Sequence, residues 1–445
     1  IIEMAVICMA KPKKKYSDLL KTEISYIKKK LGITKIQEID TAILKQLKER
    51  LKQLKDSRNQ HMILYKLWDV IMCVILASFG DNNSWDAIHD FVIDNYLWLK
   101  SFLQMTGGIP TAESYERIMG LVDSKELNQI LFGFFKEITF TEKEEISLLN
   151  IDGRNNNGSK KNKTIFSEEK APLNCLNVYS TQYRYCIETS PIQEKSNEIP
   201  AVENYLKGLN LTGTIVTWDA LNTQTKNIEA VRKAHGDYIV PVKANQGTLY
   251  RDLVDYFDEQ TCEEMIAGNT LSGYYTYMEK SHSSIIKYEC FQTSDINWYD
   301  RKEDWKDLQT IGMIKKTIIK KVKEKNTRKN AKNETIYKEV TTVEKRYYIS
   351  SRSVNAEELE KTVRAHWNVE NLIHLHLDIT FCQDKNRTSN KNALLNLEIV
   401  HKFVLGCLTR VKPRYNRSLE RIRKHISNNF EEFFPEFICY LIVSR

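Results

Sequence analysis

Hydrophobic and polar positions alternate with two different periods along this chain. Over residues 16–60, Leu, Ile and Lys recur at helical spacing with few breakers, and residues 61–140 continue as several helices divided by GDNNS and TGGIPT. The most apolar run, LWDVIMCVILASF (67–79), is short for a bilayer and carries Asp69, so it reads as a buried core helix. At ISLLNID (146–152) the texture changes to a short β-type run ending in an aspartate. LNCLNVYS and YRYCIETSPI (173–192), separated by a turn at TQ, predict a strand pair. NEIPAVENYLKGL predicts a helix with Asn197 as N-cap and Pro200 in its first turn. GTIVTWD (213–219) is a buried strand ending in Asp219, followed by a helix over 223–235 and the strand DYIVPVK (237–243). The order β, β, β, α, β, α, β predicts an α/β layer whose last two strands run parallel.

Residues 247–356 break that pattern. SSIIKYECFQTS, IGMIKKTIIKKV and ETIYKEVTTVEKRYYISSR predict antiparallel strands, with the basic, breaker-rich KEKNTRKNAKNE between them as a mobile tip. Helix returns from about 355 to the C-terminus. The expected division is a helical N-terminal domain over 1–142, an α/β core from 143–246 and 357–410, a β-rich insertion over 247–356 and a helical tail over 411–445.

A length of 445 residues, 42% hydrophobic and 28% charged, suits two or three folded domains and excludes a disordered chain. The net charge of +8 leans toward polyanionic partners, but a lysine-rich proteome produces the same excess. Nine cysteines contain no CxxC pair and sit in apolar settings such as IMCVIL and VLGCL, so they read as reduced core residues of a cytosolic protein. The opening IIEMAVICMAKPKKK is too short to span a bilayer, and its basic residues follow the apolar run, the reverse of a secretory signal.

HWNVENLIHLHLDITF (366–381) carries the sharpest chemical signal. His366, Glu370, His374 and Asp378 recur every four residues, a spacing that stacks them on one side of a helix otherwise apolar. Asp152 and Asp219 each end an apolar strand. If those strands are parallel neighbours, their carboxylates converge at the sheet edge where open α/β sheets place active sites, and Glu370 can reach them from the helix. Three acids in a partly dry pocket repel one another unless cations neutralise them. Hard carboxylate oxygens suit Mg²⁺ or Mn²⁺, and two such ions support phosphodiester chemistry. The bland alternatives are turn or cap aspartates, and a glutamate paired with Lys361 or Arg364. A zinc site on His366 and His374 is the rival metal reading, without HExxH or cysteine spacing behind it.

At these same residues the sequence resembles the ISAs-type, or H-repeat-associated, DDE transposases of bacterial insertion sequences. The resemblance runs through ordered blocks: IDGRNNNGS (151–159), EKSNEIPA (194–201), GTIVTWDALNTQTKNIEAVRKAHGDYIVPVKANQGTLYRDL (213–253), and RAHWNVENLIHLHLDITFCQD with NRTSNKNALLNL (364–397). SWDAIHDF and GGIPTAESYERI resemble the family's associated N-terminal domain. This resemblance implies an RNase H-like catalytic core with a β-rich insertion, and Asp152, Asp219 and Glu370 as a metal-binding DDE triad holding two Mg²⁺ or Mn²⁺ ions. It further implies hydrolysis at element ends, attack of the freed 3′-OH on target DNA without a covalent enzyme intermediate, and a homo-oligomer in the synaptic complex.

Supporting roles fall to His366, Asn371, His374 and Asp378 on the Glu370 helix. DNA contacts are expected from Arg154, Lys160 and Lys161 beyond Asp152, and from Lys243, Asn245 and Gln246 after the last core strand. Trp218 and Trp367 read as core packing, with base stacking as the alternative. The chain departs from the family's blocks at Asn157, Leu375 and Gln383, none of them in the triad. An inactive DNA-binding relative and an RNase H-like nuclease without transposition are the competing functions.

Overall fold

The computed structural model describes residues 19, 21–35, 38–140, 147–160, 171–193, 198–268, 271–281, 284–323, 337–369 and 373–444. Glu370, Asn371, Lys161, Asn197 and the predicted tip at 323–334 lie, wholly or almost wholly, outside them.

The helical first third comprises α1 (Lys21–Leu31), α2 (Ile39–Leu51), α3 (Leu67–Phe79), α4 (Trp85–Asp94), α5 (Tyr96–Lys100), α6 (Ala112–Met119) and α7 (Ser124–Thr139). The breaker motifs cap these helices. Ser84 of GDNNS accepts from the Ala87 N–H at the start of α4, and Thr111 of TGGIPT accepts from the Ser114 N–H at the start of α6. The apolar run over 67–79 is a buried core helix, as its length predicts, and even Asp69 is enclosed, accepting the backbone N–H groups of Gln104 and Met105.

The α/β part follows as β1 (Leu148–Asn156), β2 (Leu173–Ser180), β3 (Tyr185–Pro191), α8 (Glu198–Leu206), β4 (Ile215–Trp218), α9 (Thr225–Lys233) and β5 (Asp237–Val242). Then come α10 (Gly247–Tyr256), α11 (Glu259–Ala267), β6 (Ser272–Ser281), β7 (Ser284–Thr293), β8 (Thr310–Lys323) and β9 (Tyr337–Ser350). The chain closes with α12 (Ala356–Val369), α13 (Leu375–Ile379), α14 (Lys391–Tyr415), α15 (Leu419–Asn428) and α16 (Phe430–Val443).

All nine strands join one mixed sheet in the order β3-β2-β1-β4-β5-β9-β8-β7-β6. β1, β4 and β5 are parallel; β2 and β3 are antiparallel neighbours on one side, and β9 to β6 extend the sheet as an antiparallel meander on the other.

Strand periodicity divides the sheet into two buried faces. Ile151, Trp218, Val240 and Ile349 pack with Val202 of α8, Ile228 of α9 and Leu253 of α10. Their neighbours Ile239 and Tyr348 face the other way, onto Leu359 and Val363 of α12. Under β2 and β3 that second face meets α14, a helix buried on all sides from Ala393 to Leu408 and therefore central. α14, α15 and α16 share one hydrophobic core with α1–α7, so the last stretch of chain is integral to the helical body.

Candidate active site at the β1–β4 edge

Pairing between β1 and β4 ends at Ile151 opposite Trp218. Both side chains are fully buried toward α8 and α9. The next residue on each strand is an aspartate. Asp152 and Asp219 are thus each the residue after the last pair of two parallel strands that run about 4.8 Å apart at this spacing. β1 does not stop at Asp152: it runs on to Asn156 against β2, which holds Asp152 within a paired strand opposite Asn177.

Asp219 Oδ1 accepts from the backbone N–H of Asn222 at 3.2 Å and from its side-chain amide at 3.1 Å. The same amide reaches Glu198 Oε2 at 3.2 Å. Glu198 lies at the first turn of α8 and fills the space over Gly153; a Cβ there would come within 2.1 Å of the Glu198 carboxyl carbon. Burial, with Asp219 nearby, raises the Glu198 pKa although Asn222 opposes the shift.

The stretch around Glu370 is not one regular helix. α12 ends at Val369, residues 370–372 fall outside the described chain, a wider π-type turn follows at 373–374, and α13 begins at Leu375. Glu370 lies outside the described residues, so the expected row is described only at His366 on α12, at His374 and at Asp378 on α13. His374 Nδ1 lies 3.5 Å from Asp152 Oδ2. Burial, reinforced by Arg154 and Lys402, pushes the His374 pKa down to about 4, so at neutral pH this contact joins an uncharged imidazole to the carboxylate and is no ion pair. His366 is likewise pushed down to about 4, chiefly by burial, with Asp219 opposing and Lys243 assisting. His366 Nδ1 and His374 Nε2 are buried and have no hydrogen-bond partner among the described residues.

Asp378 pairs with Arg154. This runs against the expectation that Arg154 contacts DNA. Arg154 is only 7% exposed; it donates to Gln383 Oε1 at 2.7 Å and lies 3.5 Å from Glu398, so its guanidinium is committed to the interior. β1 continues past Asp152, and alternation points residue 154 to the same inner face. Glu398 of α14 also meets Lys402 at 2.7 Å, and Lys402 donates to Thr189 at 3.0 Å and to Asn177. Gln383 bonds His401 at 3.0 Å. A dry, charged cluster therefore ties β1, β2, β3, α13 and α14 together directly behind Asp152. Its sequence signal was present but unread: Glu398, His401 and Lys402 interrupt the apolar run ALLNLEIVHKFVLGCL at helical spacing.

The residues after β5 divide in two. Asn245 and Gln246 turn their amides onto the Ala220 carbonyl, at 2.8 and 2.9 Å, and Gln246 also reaches the Thr223 carbonyl at 3.0 Å. Those bonds staple the loop that follows Asp219. Lys243 and Lys160 are exposed. Trp218 is core, donating to Thr223 at 3.2 Å, whereas Trp367 is 37% exposed.

Hard carboxylate oxygens from Asp152 and Asp219, with imidazole nitrogens still lacking partners beside them, fit a divalent ion in donor chemistry. Among the described residues no group of three or more His, Cys, Asp or Glu stands in metal-holding geometry. No helix among them is long and apolar enough to cross a membrane.

Comparison with known proteins matches residues 151–400 to the transposase DDE domain and residues 48–135 to the domain associated with it. A putative transposase, YncI, of Escherichia coli O157:H7 is 25% identical over 392 residues, covering 87% of this chain and 93% of that protein. The H repeat-associated putative transposase YhhI of Escherichia coli K12 is 25% identical over 372 residues, covering 83% and 92%. Among solved structures, the piggyBac transposase synaptic complex with hairpin DNA is similar at 11% identity and a TM-score of 0.35, covering 93% of this chain and 80% of that one, too slight a likeness to bear on the fold. With the transposase domain matched over more than half its length, the chain belongs to the DDE transposases of the H-repeat-associated type.

Proposed function

We propose that this protein is the transposase of an insertion sequence, with Asp152, Asp219 and Glu370 as its DDE triad. The observation that supports the reading is the register of β1 and β4, whose last pair, Ile151 and Trp218, directly precedes the two aspartates. The order β3-β2-β1-β4-β5, antiparallel then parallel, supports an RNase H-like core over 143–246 and 357–410 with β6–β9 as its insertion. Asp152, Asp219 and Glu370 would hold two Mg²⁺ or Mn²⁺ ions. Such ions lower the pKa of an attacking water or 3′-hydroxyl and neutralise charge on the leaving oxygen.

The chain's own residues set the conditions for that chemistry. Asn222 fixes the rotamer of Asp219 with two donors, while Asn245 and Gln246 hold the loop that carries Asn222. His374, uncharged, packs against Asp152 without competing for its negative charge. Lys243 and Lys160 are placed to meet DNA phosphates, and the assembly on two element ends is a homo-oligomer.

The test uses duplexes carrying the inverted repeats that flank the coding region, incubated with the full chain and Mg²⁺. The expected products are nicked ends with free 3′-OH groups and their joining to target DNA. Asp152→Asn, Asp219→Asn and Glu370→Gln should each lower both steps by more than about 100-fold, the upper end of the loss from an outer-shell metal partner. Cleavage without joining would favour a nuclease, and binding without cleavage an inactive relative.

A further inference from the structure

Glu198 is an acid that the DDE triad leaves unused. It opens α8, yet its carboxyl group lies against the strand that carries Asp152. Gly153 permits that approach. A Cβ at 153 would stand 2.1 Å from both the carboxyl carbon and Oε1 of Glu198, and 2.6 Å from Oε2. Only a residue without a side chain lets a carboxylate settle on the strand directly after Asp152.

From there Glu198 reaches the other aspartate through one amide. The Asn222 side-chain nitrogen lies 3.2 Å from Glu198 Oε2 and 3.1 Å from Asp219 Oδ1. An amide nitrogen carries two hydrogens, and each carboxylate takes one. Asn222 is fully buried, so water cannot replace either partner. Its own Oδ1 is also buried and has no hydrogen-bond partner among the described residues.

The carbonyl end of the amide therefore does nothing to fix which way the group points, and the acids decide it. Turned over, the amide would set its oxygen against two carboxylates and deprive both of a donor. Asp219 alone opposes that turn with one contact; Glu198 adds a second. In the observed orientation both donors to Asp219, this amide and the Asn222 backbone N–H at 3.2 Å, fall on Oδ1, which leaves Oδ2 for a cation.

We propose that Glu198 is a positioning residue. Seated on Gly153, it fixes the Asn222 amide nitrogen toward Asp219 and so presets that carboxylate for a divalent ion. The inference rests on the reading of Asp219 as a metal ligand. It gives Glu198 no bond to the ion, in keeping with the lack, among the described residues, of three or more His, Cys, Asp or Glu in metal-holding geometry.

The test reads Mn²⁺ binding to the full chain without DNA, from the free-ion signal in electron paramagnetic resonance. Asp219→Asn should abolish tight binding; if it does not, the triad reading fails and this inference with it. Glu198→Ala should weaken Mn²⁺ binding by about 10-fold and Asn222→Ala by about 10- to 100-fold, the range for residues that orient a metal ligand from outside. Glu198→Gln keeps an acceptor for the Asn222 amide without the charge and should recover most of the loss. In an Asn222→Ala chain, Glu198→Ala should cost nothing further, because the residue through which it acts is gone. Three results overturn the proposal and leave the triad standing: unchanged affinity in Glu198→Ala while Asp219→Asn has lost the ion, a Glu198→Gln chain as weak as Glu198→Ala, or a second full loss in the double variant. Where Glu198→Ala does not fold, as judged by urea unfolding, the other two single variants decide. Unchanged binding in Asn222→Ala or lost binding in Glu198→Gln then overturns the proposal.

Discussion

Replacing Lys402 by Met removes one charge from the cluster behind Asp152 while keeping an unbranched side chain only one atom shorter. Lys402 is 3% exposed and its partner Glu398 1%, so water cannot take over the lost contact. Glu398 would keep only Arg154, at 3.5 Å, in place of the ammonium at 2.7 Å, and the Asn177 and Thr189 acceptors would lose their donor. The Lys402–Glu398 contact is ionic in character, since Glu398 Oε1 has no aligned hydrogen bond. Breaking one side of a buried pair costs about 3–5 kcal/mol, because the remaining charge stays desolvated. At the 2–4 °C per kcal/mol typical of mid-sized domains, the unfolding midpoint should fall by roughly 6–20 °C. Thermal unfolding at a fixed scan rate measures this. Lys402→Met combined with Glu398→Leu should lose less than the two single variants together, by about 0.5–3 kcal/mol. A loss below about 1 kcal/mol for Lys402→Met, or strict additivity, would refute the assignment of this pair as dry and coupled.

Three further outcomes follow from the same geometry. Gly153→Ala should destabilise the fold by about 0.5–1.5 kcal/mol, because its methyl group displaces the Glu198 carboxyl from its hydrogen bond with Asn222, and the same change in a Glu198→Ala chain should cost less; urea midpoints decide it. Although burial alone would raise the Glu398 pKa, Lys402 and Arg154 outweigh it and hold the carboxyl low, so its stabilising share is present above the ordinary glutamate range and disappears as pH falls through the depressed folded value; acid titration of the unfolding midpoint should be steeper for the unaltered chain than for Lys402→Met. Lys243→Ala should lower the slope of log affinity for duplex DNA against log salt by about 0.9, whereas Arg154→Met should leave that slope unchanged and destabilise the fold, as measured by anisotropy titrations and thermal unfolding.

Periodicity and local chemistry settled much of this protein before any contact was known. The apolar run over 67–79, the breaker motifs that became caps and the alternation of strand and helix from 148 to 242 depend on spacings of two to four residues, which the chain itself displays. The aspartates ending two apolar runs were legible for the same reason. What decided their meaning was long-range. Only the pairing of β1 with β4 brings together the strand ends that precede Asp152 and Asp219, 67 positions apart in sequence. Only the crossing of α14 behind β1 turns Arg154 from a surface cation into an enclosed partner of Asp378 and Glu398. A charged residue carries no mark of which way its strand faces until another element covers it, and burial then reverses its role, from meeting solvent and phosphate to holding the interior together.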